Sequence, residues 1–154
     1  CVAMRLREHG FRSRNISLAV RNVIKYTDGN NRTTTSLDWH SCQHMLGTST
    51  NLAVDIIREA MKLFDERYAR MYPFRGLGIS CGTLVPESVP VQMDLFGNAE
   101  KKARMEQLER NVDMLRNRFG NNIVQKGIVL IDRKAATLDP KADHTIHPVA
   151  MYGM

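Results

Sequence analysis

Three sets of residues in this sequence of 154 have types and a spacing that could do chemistry. A Gln followed three residues later by Leu-Phe, at residues 92–96, could be recognised by a partner protein as a short peptide. Arg residues among Ser, Thr and Asn before residue 38 could contact phosphate groups. His40, Cys42 and His44 could bind a metal ion. Each possibility depends on the structural element that carries the residues.

The peptide segment at residues 92–96 is predicted to be a loop. Pro86 and Pro90 precede it, Gly97 follows it, and no helical or alternating apolar pattern places it in a core. Burying a Leu or Phe side chain gains roughly 1.5 to 3 kcal/mol, so the pair either fills a gap in its own domain or binds a partner. The segment consists of Gln92, Met93, Asp94, Leu95 and Phe96. A partner-binding role requires it to be extended and exposed when the partner is absent.

The net charge of +6 is concentrated at the beginning of the chain. Residues 1–37 carry a net charge of +5, residues 38–84 are balanced, and residues 85–154 carry +1. Clustered Arg with small polar residues on strands is typical of proteins that follow a phosphate backbone. A solvated basic face would give the same composition, so both interpretations stay open at this point.

An antiparallel hairpin is predicted to carry these basic residues. Ile16, Leu18 and Val20 alternate with polar or small residues, which indicates a strand with one buried face and one wet face. The turn-forming residues 28–31 and the β-branched run 32–37 follow it. Small hydroxyl and amide groups on the wet face suit phosphate oxygens, and Arg supplies the charge.

A third strand and two long helices complete the prediction. Residues 75–84 form the strand, in which Leu77, Ile79 and Cys81 point inward and Gly76, Gly78, Ser80 and Gly82 lie opposite. Glycines in a strand mark either the close approach of a ligand or an irregular edge. A short helix ends at Gly10, and a helix over 51–71 is expected to bury Ala53, Ile57, Ala60, Met61, Phe64, Tyr68 and Met71. A second long helix spans 99–119, with an apolar stripe and a stop at Gly120, and residues 128–131 form a short strand.

The metal hypothesis lacks a fourth ligand. The sequence near residues 39–44 offers no other Cys or carboxylate at the spacing of a zinc site, so this stretch is interpreted as a polar loop. A small metalloenzyme built on His40, Cys42 and His44 remains an alternative. The three cysteines are widely spaced and odd in number, which favours a reducing cytoplasm over a disulfide framework.

Length and hydropathy limit the class of protein. The chain suits one domain with a tail, and no apolar run reaches the roughly 18 residues of a membrane span, so no membrane partner is expected. The N-terminus has no apolar signal-type stretch, and the sequence opens on Cys1 without an initiator Met. We therefore expect a piece of a longer cytoplasmic protein.

Five motifs occur in order along the chain: Arg5-Leu6-Arg7, Gly10, Arg14-Asn15-Ile16-Ser17-Leu18, Met61-Lys62-Leu63-Phe64-Asp65 and Arg75-x-Leu77-Gly78-Ile79-Ser80. Together with the segment at 92–96 after the last strand, and a similar helix over 111–120, this set resembles the C-terminal little finger domain of Y-family translesion DNA polymerases. The resemblance is greatest to the UmuC-like (ImpB/MucB/SamB) branch and covers residues 1 to 131.

The resemblance implies an α+β fold, with an antiparallel sheet of three to four strands and two long helices packed on one face. The family's first strand and most of its first helix are absent here. Three strands could therefore stand alone, residues 128–131 could take the vacant place, or the exposed edge could pair with a second copy. The implied organisation is a core at 1–84, a clamp-binding loop at 85–98, an additional helix and short strand at 99–131, and a flexible tail at 132–154.

The resemblance also implies a function in the bypass and repair of DNA damage, as in the SOS response. The open face of the sheet would grip primer-template duplex through phosphates, and the segment at 92–96 would bind the β sliding clamp. The implied DNA contacts are Arg12, Arg14, Ser17, Arg21, Arg32, Thr33, Thr35 and Ser80. No catalytic residue, metal or other cofactor is implied for this chain, because the magnesium ligands of the family lie in the palm domain. The alternative is a general nucleic-acid-binding or partner-recruitment module unrelated to polymerases.

Overall fold

The computed structural model describes residues 2–27, 29, 33–68, 74–90, 98–127 and 131. In chain order the elements are α1 (Val2–Glu8), β1 (Phe11–Thr27), β2 (Thr33–Thr50), α2 (Ala53–Arg67), β3 (Phe74–Pro86) and α3 (Asn98–Phe119). The chain divides into one compact unit that runs from Val2 to Ala99 and a second that begins at Glu100. The sheet and the first two helices belong to the first unit.

The three strands form one antiparallel sheet in the order β2-β1-β3. In the middle strand, Leu18 is level with Cys42 of β2 and with Ile79 of β3. The predicted hairpin and the predicted third strand are therefore confirmed, and so is the α+β class. The alternating apolar pattern of β1 specifies this register, because a slip of one residue would move its buried side chains to the solvent-exposed face.

Both helices of the first unit pack on one face of the sheet. Ile16 of β1 is fully buried against Leu6 of α1 and Ile56 of α2, while Leu18 and Val20 pack against Leu63 of α2. Each such burial stabilises the fold by roughly 1.5 to 3 kcal/mol. Of the two long helices predicted on one face, α2 lies there together with the seven-residue α1, and the packing of a second long helix on this face stays a prediction.

The interpretation of residues 39–44 as a polar loop is wrong. These residues lie in the middle of β2, where they pair with β1 from Arg21↔Trp39 to Ile16↔His44. The sheet ladder satisfies their backbone groups, and β2 lies at an edge of the sheet, so its side chains need not be apolar to be part of a strand.

The predicted core stripe of α2 is wrong in part. Ile56, Ala60 and Leu63 are buried, whereas Ile57 and Met61 are half exposed. The apolar residues of α2 occupy two neighbouring stripes about 100° apart, and helical spacing alone does not tell which stripe meets the sheet. The helix is also shorter than predicted, since it begins at Ala53 and ends at Arg67.

The predicted inward side of β3 is correct in direction but incompletely covered. Leu77 and Ile79 are level with Val20 and Leu18 of the buried face, yet they remain 54% and 39% exposed. The reason is that α2 packs over β1 and β2.

Glycines end two helices as predicted. Gly10 has φ +69° and Gly120 has φ +97°, the left-handed conformation that favours glycine, and each donates its backbone N–H back into the preceding helix. In the second unit, the Arg116 guanidinium of α3 donates two hydrogen bonds, of 2.7 and 3.2 Å, to the carbonyl oxygen of Val124. These bonds hold the turn after the helix.

Among the described residues, no helix has both the length and the apolar character needed to cross a membrane. Of the predicted strand at 128–131, residues 128–130 lie outside the described part of the chain, and so do the tail from 132 and the peptide segment at 92–96.

Candidate nucleic-acid interface

On the face of the sheet opposite α1 and α2, the described residues of the first unit form no helix, and we call this side the open face. The strand register arranges its residues in four rows, each with one residue from β2, β1 and β3. The rows are Trp39-Arg21-Gly76, Ser41-Ala19-Gly78, Gln43-Ser17-Ser80 and Met45-Asn15-Gly82. The predicted wet face of β1 and the predicted glycine face of β3 therefore lie side by side.

The β3 side of the open face, which we call the floor, consists of Gly76, Gly78, Ser80 and Gly82 and has almost no side chains. A Cβ atom added to Gly78 would lie 3.7 Å from the Cβ of Ala19, and one added to Gly76 would lie 3.6 Å from the Cβ of Arg21. Both are ordinary van der Waals distances, so packing within the domain would accept a larger residue. The glycines leave room above the sheet for another molecule to approach its backbone.

The β2 side of the open face carries larger side chains, Trp39, Gln43 and Met45, and we call it the wall. Trp39 and Met45 are 57% and 56% exposed at its two ends, and the Oε1 atom of Gln43 accepts a hydrogen bond from Asn15 Nδ2 at 3.0 Å. The Arg21 guanidinium carbon lies 5.5 Å from the centroid of the Trp39 ring, a cation–π contact across the two strands.

Sequence reasoning missed this wall because it placed residues 39–44 in a loop. Local spacing gave no signal for it, because the phase of Trp39, Ser41, Gln43 and Met45 with β1 depends on the strand register.

The structure brings some of the predicted DNA contacts together on the open face. Ser17, Arg21 and Ser80 belong to its rows, with Ser17 and Ser80 directly opposite each other. The backbone register also places Thr33 and Thr35 at positions in line with Trp39, opposite Thr27 and Lys25. Arg32 lies outside the described residues.

The other two predicted contacts, Arg14 and Arg12, do not belong to these rows. The pairing of β1 with β2 shifts between Ser13 and Asn15, and the exposed Arg14 at this bulge donates a long hydrogen bond of 3.4 Å to the Gly47 carbonyl. Arg12 is half buried, and its Nη1 donates to the carbonyl oxygen of Glu87 at 3.2 Å. Arg14 can therefore reach solvent more readily than Arg12.

A buried polar network holds the end of β3 to the helices. Asn51 is fully buried, its Nδ2 donates to the Glu87 carboxylate at 2.6 Å, and its carbonyl accepts from Arg7 Nη1 at 2.7 Å. The Glu87 N–H donates to the Gly10 carbonyl at 2.8 Å. These contacts join residues 36 or more positions apart, so no local sequence pattern could have predicted them.

The candidate metal residues occupy alternate positions of β2 on the side of the sheet that carries the helices. Tyr68 Oη donates a hydrogen bond of 2.8 Å to the His40 carbonyl, and His44 Nε2 lies 3.9 Å from a carboxylate oxygen of Glu59. Burial and the neighbouring Cys42 thiol raise the pKa of Tyr68 to about 12. In the part of the chain that the structure describes, no three His, Cys, Asp or Glu residues are grouped so that they could hold a metal ion.

Comparison with known proteins identifies a family that matches most of the first unit. The family model of the impB/mucB/samB family C-terminal domain matches residues 2–95. The DNA polymerase IV of Moorella thermoacetica is 30% identical over 129 residues, which cover 84% of this chain and 28% of that protein. The DNA polymerase IV of Acetivibrio thermocellus is 28% identical over 132 residues, 86% of this chain and 30% of that protein. The chain thus spans less than a third of the length of these relatives.

Proposed function

Because this chain belongs to the impB/mucB/samB C-terminal domain family, we propose that it is the DNA-binding accessory domain of a translesion DNA polymerase. The observation that supports the proposal is the open face, where a floor of glycines lies beside Ser17, Ser80 and Arg21. The full-length protein would be a DNA-directed DNA polymerase, as its relatives are named. The chemistry of nucleotide transfer would belong to the part outside this chain.

In this proposal the open face lies along primer-template duplex and contacts its phosphates. A phosphate-sugar backbone can approach the sheet over Gly78 and Gly82, where the hydroxyl groups of Ser17 and Ser80 can donate hydrogen bonds to phosphate oxygens. Arg14 and Arg21 add charge. Such contacts position the duplex without reading its bases, so binding tolerates any sequence and weakens steeply with salt.

The DNA grip is tested by Arg14→Ala in fluorescence anisotropy titrations of duplexes of unrelated sequence at several salt concentrations. We expect weaker binding to every duplex and a salt slope reduced by about one, because one phosphate contact and its released counterion are lost. Arg58→Ala is the matched control, since Arg58 is an exposed Arg of α2 paired with Asp55 on the opposite side of the sheet. A loss confined to one DNA sequence, or an equal loss in the control, would contradict the proposal.

The second part of the proposal is a tether to the β sliding clamp. Leu95 and Phe96 would enter an apolar pocket of the clamp and Gln92 would bond to its rim, with Met93 and Asp94 between them. The support is the family resemblance and the Pro and Gly residues that flank the segment. A peptide contact of this size buries little area, and it acts mainly by raising the local concentration of polymerase at the primer end.

The tether is tested by capture of the chain on immobilised clamp. The double substitution Leu95→Ala and Phe96→Ala should abolish capture, because the two apolar anchors carry most of the binding energy. Met93→Ala should retain it, as this position lies between Gln92 and the two apolar anchors. Capture that survives in the double variant would refute the tether and leave the DNA proposal intact.

A further inference from the structure

Trp39 is an exposed aromatic ring at one end of the open face. It is the one Trp of the sequence, and 57% of its surface is accessible although the neighbouring strand β1 is well packed on its other side. Met45 at the far end of β2 is equally exposed, but it has no cationic neighbour in its row. A single exposed apolar side chain is common on protein surfaces, so what distinguishes Trp39 is the charged neighbour Arg21 beside its ring.

The row that contains Trp39 is built asymmetrically. Arg21 lies between Trp39 and Gly76, with its guanidinium over the ring on one side and a residue without a side chain on the other. Trp39 is on an edge strand, so its ring borders solvent beyond the sheet. One site thus offers a flat π surface and, within 5.5 Å of it, a fixed positive charge.

We infer that Trp39 and Arg21 form a stacking site for an unpaired nucleotide of DNA. The base would lie against the Trp39 ring, and Arg21 would contact the adjoining phosphate. Stacking on an aromatic ring needs a base whose face is accessible, which an internal base pair of a duplex does not have. The inference rests on the proposed DNA grip and adds to it a preference for duplex that continues into a single strand.

The size of this preference follows from the stacking of one base. Replacing a stacking aromatic residue by Ala commonly lowers affinity for single strands by roughly five- to hundredfold. The preference should be tolerant of sequence, because every base presents a π surface.

The fluorescence of Trp39 makes the site directly observable, since no other Trp contributes. The chain is titrated with a primer-template that has an unpaired 5′ overhang and with a blunt duplex of the same paired sequence, and binding is followed in parallel by anisotropy of a labelled DNA. We expect the overhang to quench Trp39 fluorescence and to bind about tenfold more tightly than the blunt duplex. Trp39→Ala should remove this difference, Trp39→Phe should retain most of it, and Met45→Ala should leave it unchanged.

The outcomes separate the stacking site from the grip. Equal affinity for the two DNAs in the native chain, or an overhang preference that persists in Trp39→Ala, would overturn the stacking site while the grip stands. Failure of the native chain to bind either DNA would overturn the grip and the stacking site together.

Discussion

Strand β1 contributes to two faces of one sheet that differ in what determines their residues. On the side of the helices, Ile16, Leu18 and Val20 are no more than 3% exposed and contact both α1 and α2. On the open face, Ser17 and Arg21 are partly exposed and lie between residues of β2 and β3. The buried face is required by the fold, whereas we expect the open face to tolerate substitution without loss of the core.

The largest contrast between the faces is expected from adjacent substitutions in β1. Ile16→Ala should lower the free energy of unfolding by about 2 to 5 kcal/mol, because it leaves a cavity between both helices and the sheet. Ser17→Ala should change it by less than about 0.5 kcal/mol but should weaken DNA binding. Urea unfolding and DNA titration of the two variants measure both effects, and comparable destabilisation by the two would remove the distinction between the faces.

A second contrast compares two side-chain hydrogen bonds. Asn51→Ala should cost about 1 to 3 kcal/mol of unfolding free energy, because Asn51 is fully buried and bonds to Glu87. Gln43→Ala, whose partner Asn15 lies on the open face, should cost less than about 0.5 kcal/mol since water replaces the lost bond. Both are measured by urea unfolding. A costly Gln43→Ala would indicate that the open face also contributes to stability.

A third prediction concerns the substitution of Gly78, in the glycine floor of the open face, by a larger residue. Gly78→Val should weaken DNA binding about tenfold, or about 1.4 kcal/mol, because its side chain would occupy the space above Ala19. Its unfolding free energy should stay the same or rise by up to about 1 kcal/mol, since glycine is entropically costly in a strand. Ile79→Val, the next residue on the opposite face, is the control and should leave DNA binding unchanged. Normal DNA binding by Gly78→Val would contradict the proposed approach over β3.

The smallest expected effect is the pH dependence of the stability that Tyr68 contributes on the side of the sheet that carries the helices. Tyr68→Phe should lower the unfolding free energy by about 1 kcal/mol at pH 8, through loss of the bond to the His40 carbonyl. In the native chain burial and Cys42 raise the pKa of Tyr68 to about 12, whereas in the unfolded chain it ionises near 10. The contribution of Tyr68 is therefore complete below pH 10 and is lost as the pH rises toward 12. The difference in unfolding free energy between the native chain and Tyr68→Phe should narrow from pH 10 to pH 12. A difference that stays constant would contradict the raised pKa of Tyr68.

Local patterns predicted strands β1 and β3 and failed over most of β2. The alternation around Ile16 and Leu18 identified β1 and its two faces, because burial on one side leaves a period of two in the sequence. Strand β2 has polar residues at Trp39 to His44 on both faces, since it is an edge strand only partly covered by α2, and its extent could not be predicted.

The sequence predicted only part of the candidate site. Ser17, Arg21 and Ser80 share a face because of strand parity, which the sequence contains. The position of Trp39 beside Arg21 depends on the register of β2, and the Asn51–Glu87 bond depends on tertiary packing between distant segments. Neither leaves a trace in local spacing.

The polar network around Glu87 also limits how far Gln92 can lie from the domain. Glu87 is fixed by its bonds to Asn51 and Gly10, and Gln92 follows five residues later. A fully extended chain spans at most about 3.3 to 3.6 Å per residue, so Gln92 can lie no farther than about 18 Å from this anchor. Any partner that binds at Gln92 must therefore contact the chain within that radius of the anchor.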